Sequence, residues 1–338
     1  MNTYLSNKLK ILSLIAMVLV VFIHSYIETT TNNTLMSEAI AFLQYFISQG
    51  VARVAVPIFF TISGYLYFLS YQNTTNDYII KTKKRLKTLV LPYLLMSFFI
   101  VLCYTFILDP LFGHYINKSI NIFHNSITDT LKVIFIDPLP YQLWFLRDLI
   151  LLILLAPFIH YLFKFLKVYF IFILVLLWLP ITSFSFYIFS NEAILLQKRK
   201  GNVYYLITLV WLLALTIKSI VNIKLGINNE ISDILLKISI IMGGISIWSL
   251  YDICIKSETP SKILFTLSSY SFFIYLIHEP LLLSTFKKIS NVIIRKNELF
   301  LPFFYFFNAI ITIILCIIIA KGLQKYTPKL YSIITGGR

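Results

Sequence analysis

Apolar runs of about 20 residues recur along this chain, and they constrain its fold more than any other feature. An α-helix needs about 20 apolar residues to cross the hydrocarbon core of a bilayer, where its backbone satisfies its own hydrogen bonds. Of the 338 residues, 59% are hydrophobic and only 13% are charged, against about 25% charged residues in a soluble domain. The sequence therefore predicts an all-α, polytopic integral membrane protein.

Windows of this length predict a bundle of about ten transmembrane helices. They lie near residues 9–27, 51–71, 88–108, 143–162, 168–182, 183–196, 203–221, 231–250, 263–284 and 300–320. No internal repeat and no Gly/Ser-rich or Pro-rich linker divides the chain, so residues 1–338 are interpreted as a single membrane domain. With the N-terminus inside, the cytoplasmic segments hold 18 Lys and Arg residues and the external segments hold eight. This bias predicts that both termini are cytoplasmic.

The net charge indicates membrane orientation rather than a nucleic-acid partner. The 29 basic and 14 acidic residues give +15, and they lie in short gaps between apolar runs. The three cysteines lie in or beside apolar stretches without metal-ligand spacing, so no disulfide framework, metal site or bound cofactor is expected. No Gly-rich phosphate loop is present, and nucleotide triphosphate hydrolysis therefore has no support.

Ionisable residues inside the predicted spans are the candidate functional residues, because a charge at the centre of a membrane helix costs about 2.5–3.5 kcal/mol. His24 lies near the external end of the first span, where it is either a hydrogen-bonding residue in helix packing or a general base. Arg53 precedes a segment in which Pro57 and the Ser63-Gly64 pair loosen the helix. It either reaches the outer membrane surface or binds substrate.

Two adjacent polar pairs occur later in the chain. Arg147 and Asp148 project about 100° apart on a helix, so each is expected to engage another helix, either as a structural ion pair or in a substrate site. His278 and Glu279 directly precede Pro280. Their carboxylate could stabilise an imidazolium that titrates near neutrality, or the pair marks a helix end at the membrane surface.

A basic stretch precedes the third span. In KTKKRLKTLVLPY, the residues Lys83, Lys84 and Arg85 lie between two further lysines at the cytoplasmic entrance of the helix. Such a group is either a topology determinant that is attracted to anionic lipid or a binding site for a cytoplasmic ligand that carries phosphates.

Five segments together resemble the bacterial membrane-bound acyltransferase family 3, which includes O-acetyltransferases of cell-surface polysaccharides. They are VVFIHS, ARVAVPIFFTISGYL, KRLKTLVLPYLL, LWFLRDLILLILLAPFI and YSFFIYLIHEPLL, and they occur in the family's order over most of the chain. The resemblance implies about ten helices with cytoplasmic ends, in agreement with the charge bias. It also implies a location in the bacterial inner membrane, in contact with lipid and with other polysaccharide-synthesis proteins.

The resemblance implies an acyl-CoA-dependent O-acyltransferase. An acyl group, usually acetyl, would pass from cytoplasmic acyl-CoA to a hydroxyl of a cell-surface or lipid-linked carbohydrate. His24 matches the family's first-helix histidine and would be the general base. The other candidates would bind the substrates, with the basic stretch holding the CoA phosphates. These binding residues are Arg53, Lys83, Lys84, Arg85, Arg147, Asp148, His278 and Glu279.

One position departs from the family pattern, which commonly has an arginine eleven residues before the first-helix histidine. Here that residue is Ser13, and Lys10, fourteen residues before His24, lies within about 40° of the same helix face. A lysine lacks the planar fork of arginine. A transporter or flippase of a lipid-linked glycan is the alternative function, although the sequence shows no inverted repeats and no paired broken helices.

Overall fold

The computed structural model describes residues 3–27, 35–69, 74–108, 126–166, 201–255, 261–294 and 297–337, and every regular element in these ranges is a helix. The predicted all-α fold is confirmed. The helices are α1 (Thr3–His24), α2 (Leu35–Ile47), α3 (Ala55–Phe68), α4 (Thr75–Cys103), α5 (Ile127–Phe135), α6 (Trp144–Leu166), α7 (Asn202–Leu225), α8 (Glu230–Cys254), α9 (Lys262–Ser268), α10 (Ser271–Ile277), α11 (Leu283–Ile294), α12 (Leu301–Tyr326) and α13 (Pro328–Ile334).

Seven of the described helical segments are long and apolar enough to cross a membrane, and each overlaps one predicted span. They are Thr3–His24, Leu35–Phe68, Thr75–Ile107, Tyr141–Leu166, Asn202–Leu225, Glu230–Cys254 and Glu298–Tyr326. The spans predicted near 168–182 and 183–196 lie outside the described residues. The long helices confirm an all-α polytopic membrane protein.

The span predicted near 263–284 is interrupted rather than continuous. α9 ends at Ser268, α10 begins at Ser271, and a wide helical turn, His278–Leu282, follows α10. Within that turn Glu279 has extended dihedral angles, φ −127° and ψ 154°. Pro280 has no N–H to donate, so the helical hydrogen-bond ladder breaks at this point. The apolar composition predicted a helix, and the local backbone chemistry divides it.

The described helices form two compact units. Unit 1 comprises the described parts of Met1–Ser70, Leu166–Ser271 and Leu282–Leu315. In this unit α1 packs against α3 and α9, while the α7–α8 pair packs against α2 and the 3-10 helix Val51–Val54. Gly243 of α8 allows a close approach, because a Cβ there would lie 2.6 Å from Val54 and from the Trp211 ring.

Unit 2 comprises the described parts of Tyr71–Phe165, Phe272–Leu281 and Cys316–Arg338. α4 packs against α5 and α13. The hydroxyl of Tyr78 donates to the carbonyl of Leu154, and the hydroxyl of Tyr93 donates to the carbonyl of Phe135, each over 3.1 Å. These bonds attach two levels of α4 to neighbouring segments of the unit.

Candidate functional site

His24 is the last residue of α1, and three elements of unit 1 fix the end of that helix. The Gln44 side chain of α2 accepts from the backbone N–H of Ile27 at 2.8 Å and donates to its carbonyl at 3.0 Å. Ser48 Oγ donates to the carbonyl of Phe22 at 2.6 Å. The single hydroxyl hydrogen of Ser48 is thereby used, so Tyr305 of α12 is the donor in the 2.8 Å contact between their oxygens.

A lysine completes this arrangement. Lys287 of α11 donates from Nζ to the backbone carbonyl of His24 over 2.9 Å. A cation at the last carbonyl of a helix is favourable, because it satisfies an acceptor that has no partner in the helix. We call His24, Gln44, Ser48, Lys287 and Tyr305 the His24 site. Its geometry holds a half-buried imidazole at a fixed helix end.

Neither of the two residues considered in place of the family's first-helix arginine, Ser13 and Lys10, is a buried cation. Ser13 donates from Oγ to the carbonyl of Leu9 at 2.8 Å, so its hydroxyl hydrogen is used within its own helix. Lys10 is exposed, with Nζ 4.3 Å from the ring centroid of Phe265. The buried cation of α1 is Lys8, 1% exposed, which no motif indicated.

Lys8 and Asp252 form an ion pair between α1 and α8 in unit 1. Their charged atoms lie 2.7 Å apart, and their side chains are 1% and 0% exposed. The hydroxyl of Tyr4 also donates to the same carboxylate oxygen, and Lys8 Nζ lies 4.2 Å above the ring of Trp248. A pair so completely buried needs this many partners, since each ion loses its hydration. Sequence reasoning counted Lys8 only as a topology signal and missed Asp252.

Arg53 lies in the 3-10 helix of unit 1 and is half-buried. Its Nε donates to Gln49 Oε1 over 3.0 Å, and Nη2 contacts the same oxygen. The described partner of the guanidinium is thus a neutral amide rather than a carboxylate.

Arg147 and Asp148 pair with each other in unit 2, so the prediction that each engages another helix is wrong for Asp148, whereas Arg147 also reaches the residue that caps α5. Arg147 Nε and Nη2 each lie 2.9 Å from Asp148 Oδ1. The long arginine stem folds back over the 100° that separates adjacent side chains on a helix. Arg147 Nη1 also donates to the carbonyl of Ile136. The side chains remain 33% and 23% exposed, so this pair is accessible.

His278 and Glu279 are 0% and 1% exposed, so the interpretation of a helix end at the membrane surface is wrong. His278 Nδ1 lies 3.0 Å from the carbonyl oxygens of both Ile274 and Tyr275. Carbonyl oxygens only accept, so Nδ1 carries a hydrogen. The carboxylate of Glu279 accepts from the hydroxyl of Tyr141. The two adjacent side chains therefore have different partners, His278 within its own helix and Glu279 in a segment distant in sequence.

Gln142 links this helix break to the start of α6, and sequence reasoning missed it. Its side-chain Nε2 donates to the backbone carbonyl of Glu279, and its own backbone carbonyl accepts from the hydroxyl of Tyr275 at 2.7 Å. Gln142 is 2% exposed, and its Oε1 accepts no hydrogen bond from the residues that the structure describes. We call Gln142, Tyr275, His278 and Glu279 the Gln142 site. An isolated glutamine beside two prolines gave no sequence signal.

The basic stretch lies on α4, before the residues of the span that was predicted near 88–108. Lys83 and Lys84 are exposed and Arg85 is half-buried. Arg85 precedes Tyr93 by eight residues, a rise of about 12 Å along the helix. Tyr93 lies within electrostatic range of Arg147 and Asp148. Arg147, Asp148, His278 and Glu279 thus lie in one part of unit 2. The basic stretch lies on α4, about two turns along the helix from Tyr93.

Long apolar helices with ionisable groups buried among them define an integral membrane protein with an internal polar site. The family model of the acyltransferase 3 family, an acyltransferase domain, matches residues 7–321. The chain therefore belongs to this family. The protein is a multi-pass membrane acyltransferase, as the resemblance of the five segments implied.

A curated relative supports the same assignment. The chain is similar to the succinoglycan biosynthesis protein ExoH of Rhizobium meliloti (strain 1021), with 27% identity over 313 residues. The alignment covers 88% of this chain and 82% of the relative. No solved structure matches the chain.

Proposed function

We propose that this protein transfers an acyl group, acetyl in the simplest case, from cytoplasmic acyl-CoA to a hydroxyl of a cell-surface or lipid-linked carbohydrate. The family assignment supports acyl transfer, and the name of the succinoglycan biosynthesis relative supports a polysaccharide acceptor. The observation that carries the proposal is the His24 site, in which the family's first-helix histidine ends α1 and is held there by Gln44, Ser48 and Lys287.

His24 acts as the general base in this proposal. Its imidazole takes the proton of the acceptor hydroxyl while the hydroxyl oxygen bonds to the thioester carbonyl carbon. The carbon–sulfur bond then breaks, and the departing CoA thiolate takes the proton from the imidazolium. The products are the carbohydrate ester and CoA. Lys287, Ser48 and Tyr305 are positioning residues, because they hold the backbone at the end of α1.

The donor binds through its phosphates. Lys83, Lys84 and Arg85 provide three neighbouring cations on α4, and two of them are exposed. Arginine binds phosphate through two parallel hydrogen bonds, while lysine contributes a compact charge. This arrangement suits the phosphate groups of CoA. The charge bias of the loops also favours the cytoplasmic side of the inner membrane for these three residues.

The remaining candidates bind the polar parts of the substrates. Arg147 is one-third exposed and retains donor capacity beyond its pair with Asp148. In the Gln142 site, Gln142 Oε1 is a buried acceptor that suits a carbohydrate hydroxyl. His278 and Glu279 belong to the same site, and Arg53 binds an anionic or polar substrate group in unit 1.

The direct test uses the purified full-length protein in lipid with labelled acetyl-CoA and a panel of glycans. We expect labelled glycan that carries one additional acetyl group by mass. Intact glycan moved across the membrane without any label would contradict acyl transfer and favour a transporter. Boiled protein and empty vesicles serve as controls for spontaneous acetylation.

A further inference from the structure

A buried lysine in unit 1 belongs to none of the sites described above. Lys218 lies on α7 and is 3% exposed. The count of Lys and Arg residues between the predicted spans placed Lys218 in an external segment, but the structure encloses it inside unit 1. Trp211 and Asn222, seven residues before it and four after it, lie on the same buried face of the helix.

This face presents hydrogen-bond donors without acceptors. Among the described residues, Lys218 makes no hydrogen bond and no ion pair closer than 4.0 Å. Asn222 Nδ2 and Trp211 Nε1 are likewise buried without an acceptor. The amide oxygen of Asn222 is already used, because Ser232 Oγ donates to it. The groups that remain within about one helical turn of each other are the ammonium of Lys218 and the amide N–H of Asn222, and a buried charge without a partner is costly. Trp211 lies two turns before Lys218, beyond the reach of an ion bound at Asn222.

A second cation adds to this charge. Lys218 interacts electrostatically with Arg53 and with Asp233. The 3-10 helix that carries Arg53 packs against α8, and Val54 lies close enough to the Trp211 ring for both to exclude a Cβ at Gly243. Arg53 and Lys218 bring two positive charges, and the exposed Asp233 brings one negative charge. Together these three side chains have a net charge of +1.

We infer that Arg53, Lys218 and Asn222 form a binding site for one oxyanion, the carboxylate or phosphate of a molecule that enters the bundle. We call these residues the Lys218 cluster. One negative group would neutralise the net charge of the cluster and Asp233 together, and it would provide oxygens for the guanidinium fork, the ammonium and the Asn222 amide. The inference deepens the proposed function, on which it rests, by requiring either a transfer substrate with an anionic group or a lipid headgroup.

The test compares Lys218→Met with Lys224→Met in the purified full-length protein. Lys224 lies on the same helix and pairs with Glu38 at 2.8 Å, but it is 61% exposed, so it controls for the loss of one charge. Tm is measured in phosphate-free maltoside detergent with sodium chloride, and again with inorganic phosphate or acetate at equal ionic strength.

We expect phosphate or acetate to raise the Tm of the wild type and of Lys224→Met, and to leave that of Lys218→Met unchanged. In chloride alone, Lys218→Met should melt higher than the wild type, because it removes a buried unpaired charge. A structural lysine would give the opposite sign. An equal anion response in wild type and Lys218→Met, or no response in the wild type, would overturn the inference.

Two further arms keep the test decisive. If Lys218→Met does not fold, Asn222→Leu replaces it, and this variant should weaken the apparent anion affinity at least about threefold. Repeating the titration in phosphatidylglycerol nanodiscs identifies the source of the oxyanion. A response that disappears there assigns the site to a lipid phosphate, and one that persists assigns it to a substrate. None of these readouts measures acyl transfer, so the inference and the proposed function fail separately.

Discussion

Two ion pairs with similar short contacts occupy contrasting environments, one in each unit. Lys8 and Asp252 are separated by 244 positions in sequence and are almost completely buried, with Tyr4 and Trp248 around them. Arg147 and Asp148 are adjacent in sequence and are 33% and 23% exposed. The contrast shows that contact distance does not separate a structural pair from a pair that we propose to bind substrate. The two kinds of pair differ instead in their burial and in the number of hydrogen-bond donors that remain after pairing.

The largest effect on stability is expected where the buried pair is broken. Asp252→Asn leaves the Lys8 ammonium buried without its counter-ion, and we expect a loss of about 3–5 kcal/mol in the free energy of unfolding. Denaturant unfolding of the purified protein measures this loss. Glu38→Gln breaks the exposed pair with Lys224 and should change stability by less than about 1 kcal/mol. Equal losses in the two variants would remove the contrast.

A double substitution separates the charges of the buried pair from its other contacts. Replacing both Lys8 and Asp252 by leucine should restore most of the stability that Asp252→Asn loses, because well-packed apolar residues often replace a buried ion pair without cost. The same denaturant measurement applies. A double variant as unstable as Asp252→Asn would show that the contacts to Tyr4 and Trp248, rather than the charges, hold α1 against α8.

The exposed pair should affect catalysis more than folding. Arg147→Lys keeps the charge but removes the fork that holds Asp148 and the carbonyl of Ile136. We expect a fall of about 10–100-fold in kcat/KM for acyl transfer, on the scale of one or two charge-assisted hydrogen bonds. The free energy of unfolding should change by less than about 1 kcal/mol. A variant that loses stability but keeps its turnover would contradict a binding role for Arg147.

The smallest effect is expected on α4. Charge-neutral glutamine at Lys83, Lys84 and Arg85 should raise the KM for acyl-CoA severalfold, because exposed cations bind phosphate weakly and are screened by salt. Lys87→Gln on the same exposed stretch is the matched control. Loop accessibility must be mapped in parallel, since these charges also favour the orientation of the chain. An unchanged KM would leave the basic stretch as a topology determinant.

The sequence predicted the fold better than the contacts. Run length and apolar composition predicted a span within each of the seven long helical segments, because those properties are local, but they missed α2. Glu279 and Pro280 break the ninth predicted span, and run length does not detect such a break. Charge counting assigned Lys8 and Lys218 to loops, although the helices enclose both.

The candidate residues show the same limit. Helical geometry placed Arg147 and Asp148 about 100° apart, but it could not predict that the arginine stem folds back to its neighbour. Gln142, Lys287 and Asp252 acquire their partners only when distant segments meet, over up to 263 positions in sequence for Lys287. A single sequence contains the resemblance that identifies His24 but not the residues that hold it in place.

In the proposed mechanism, His24 is the base that activates the acceptor hydroxyl. The most direct measurement is the initial rate of labelled acetyl transfer by His24→Gln in lipid, beside wild type at equal protein and with membrane insertion verified. We expect a fall of about 10²–10⁴-fold in this rate, with the KM for acetyl-CoA unchanged. A His24→Gln protein that transfers acetyl at the rate of the wild type would contradict it.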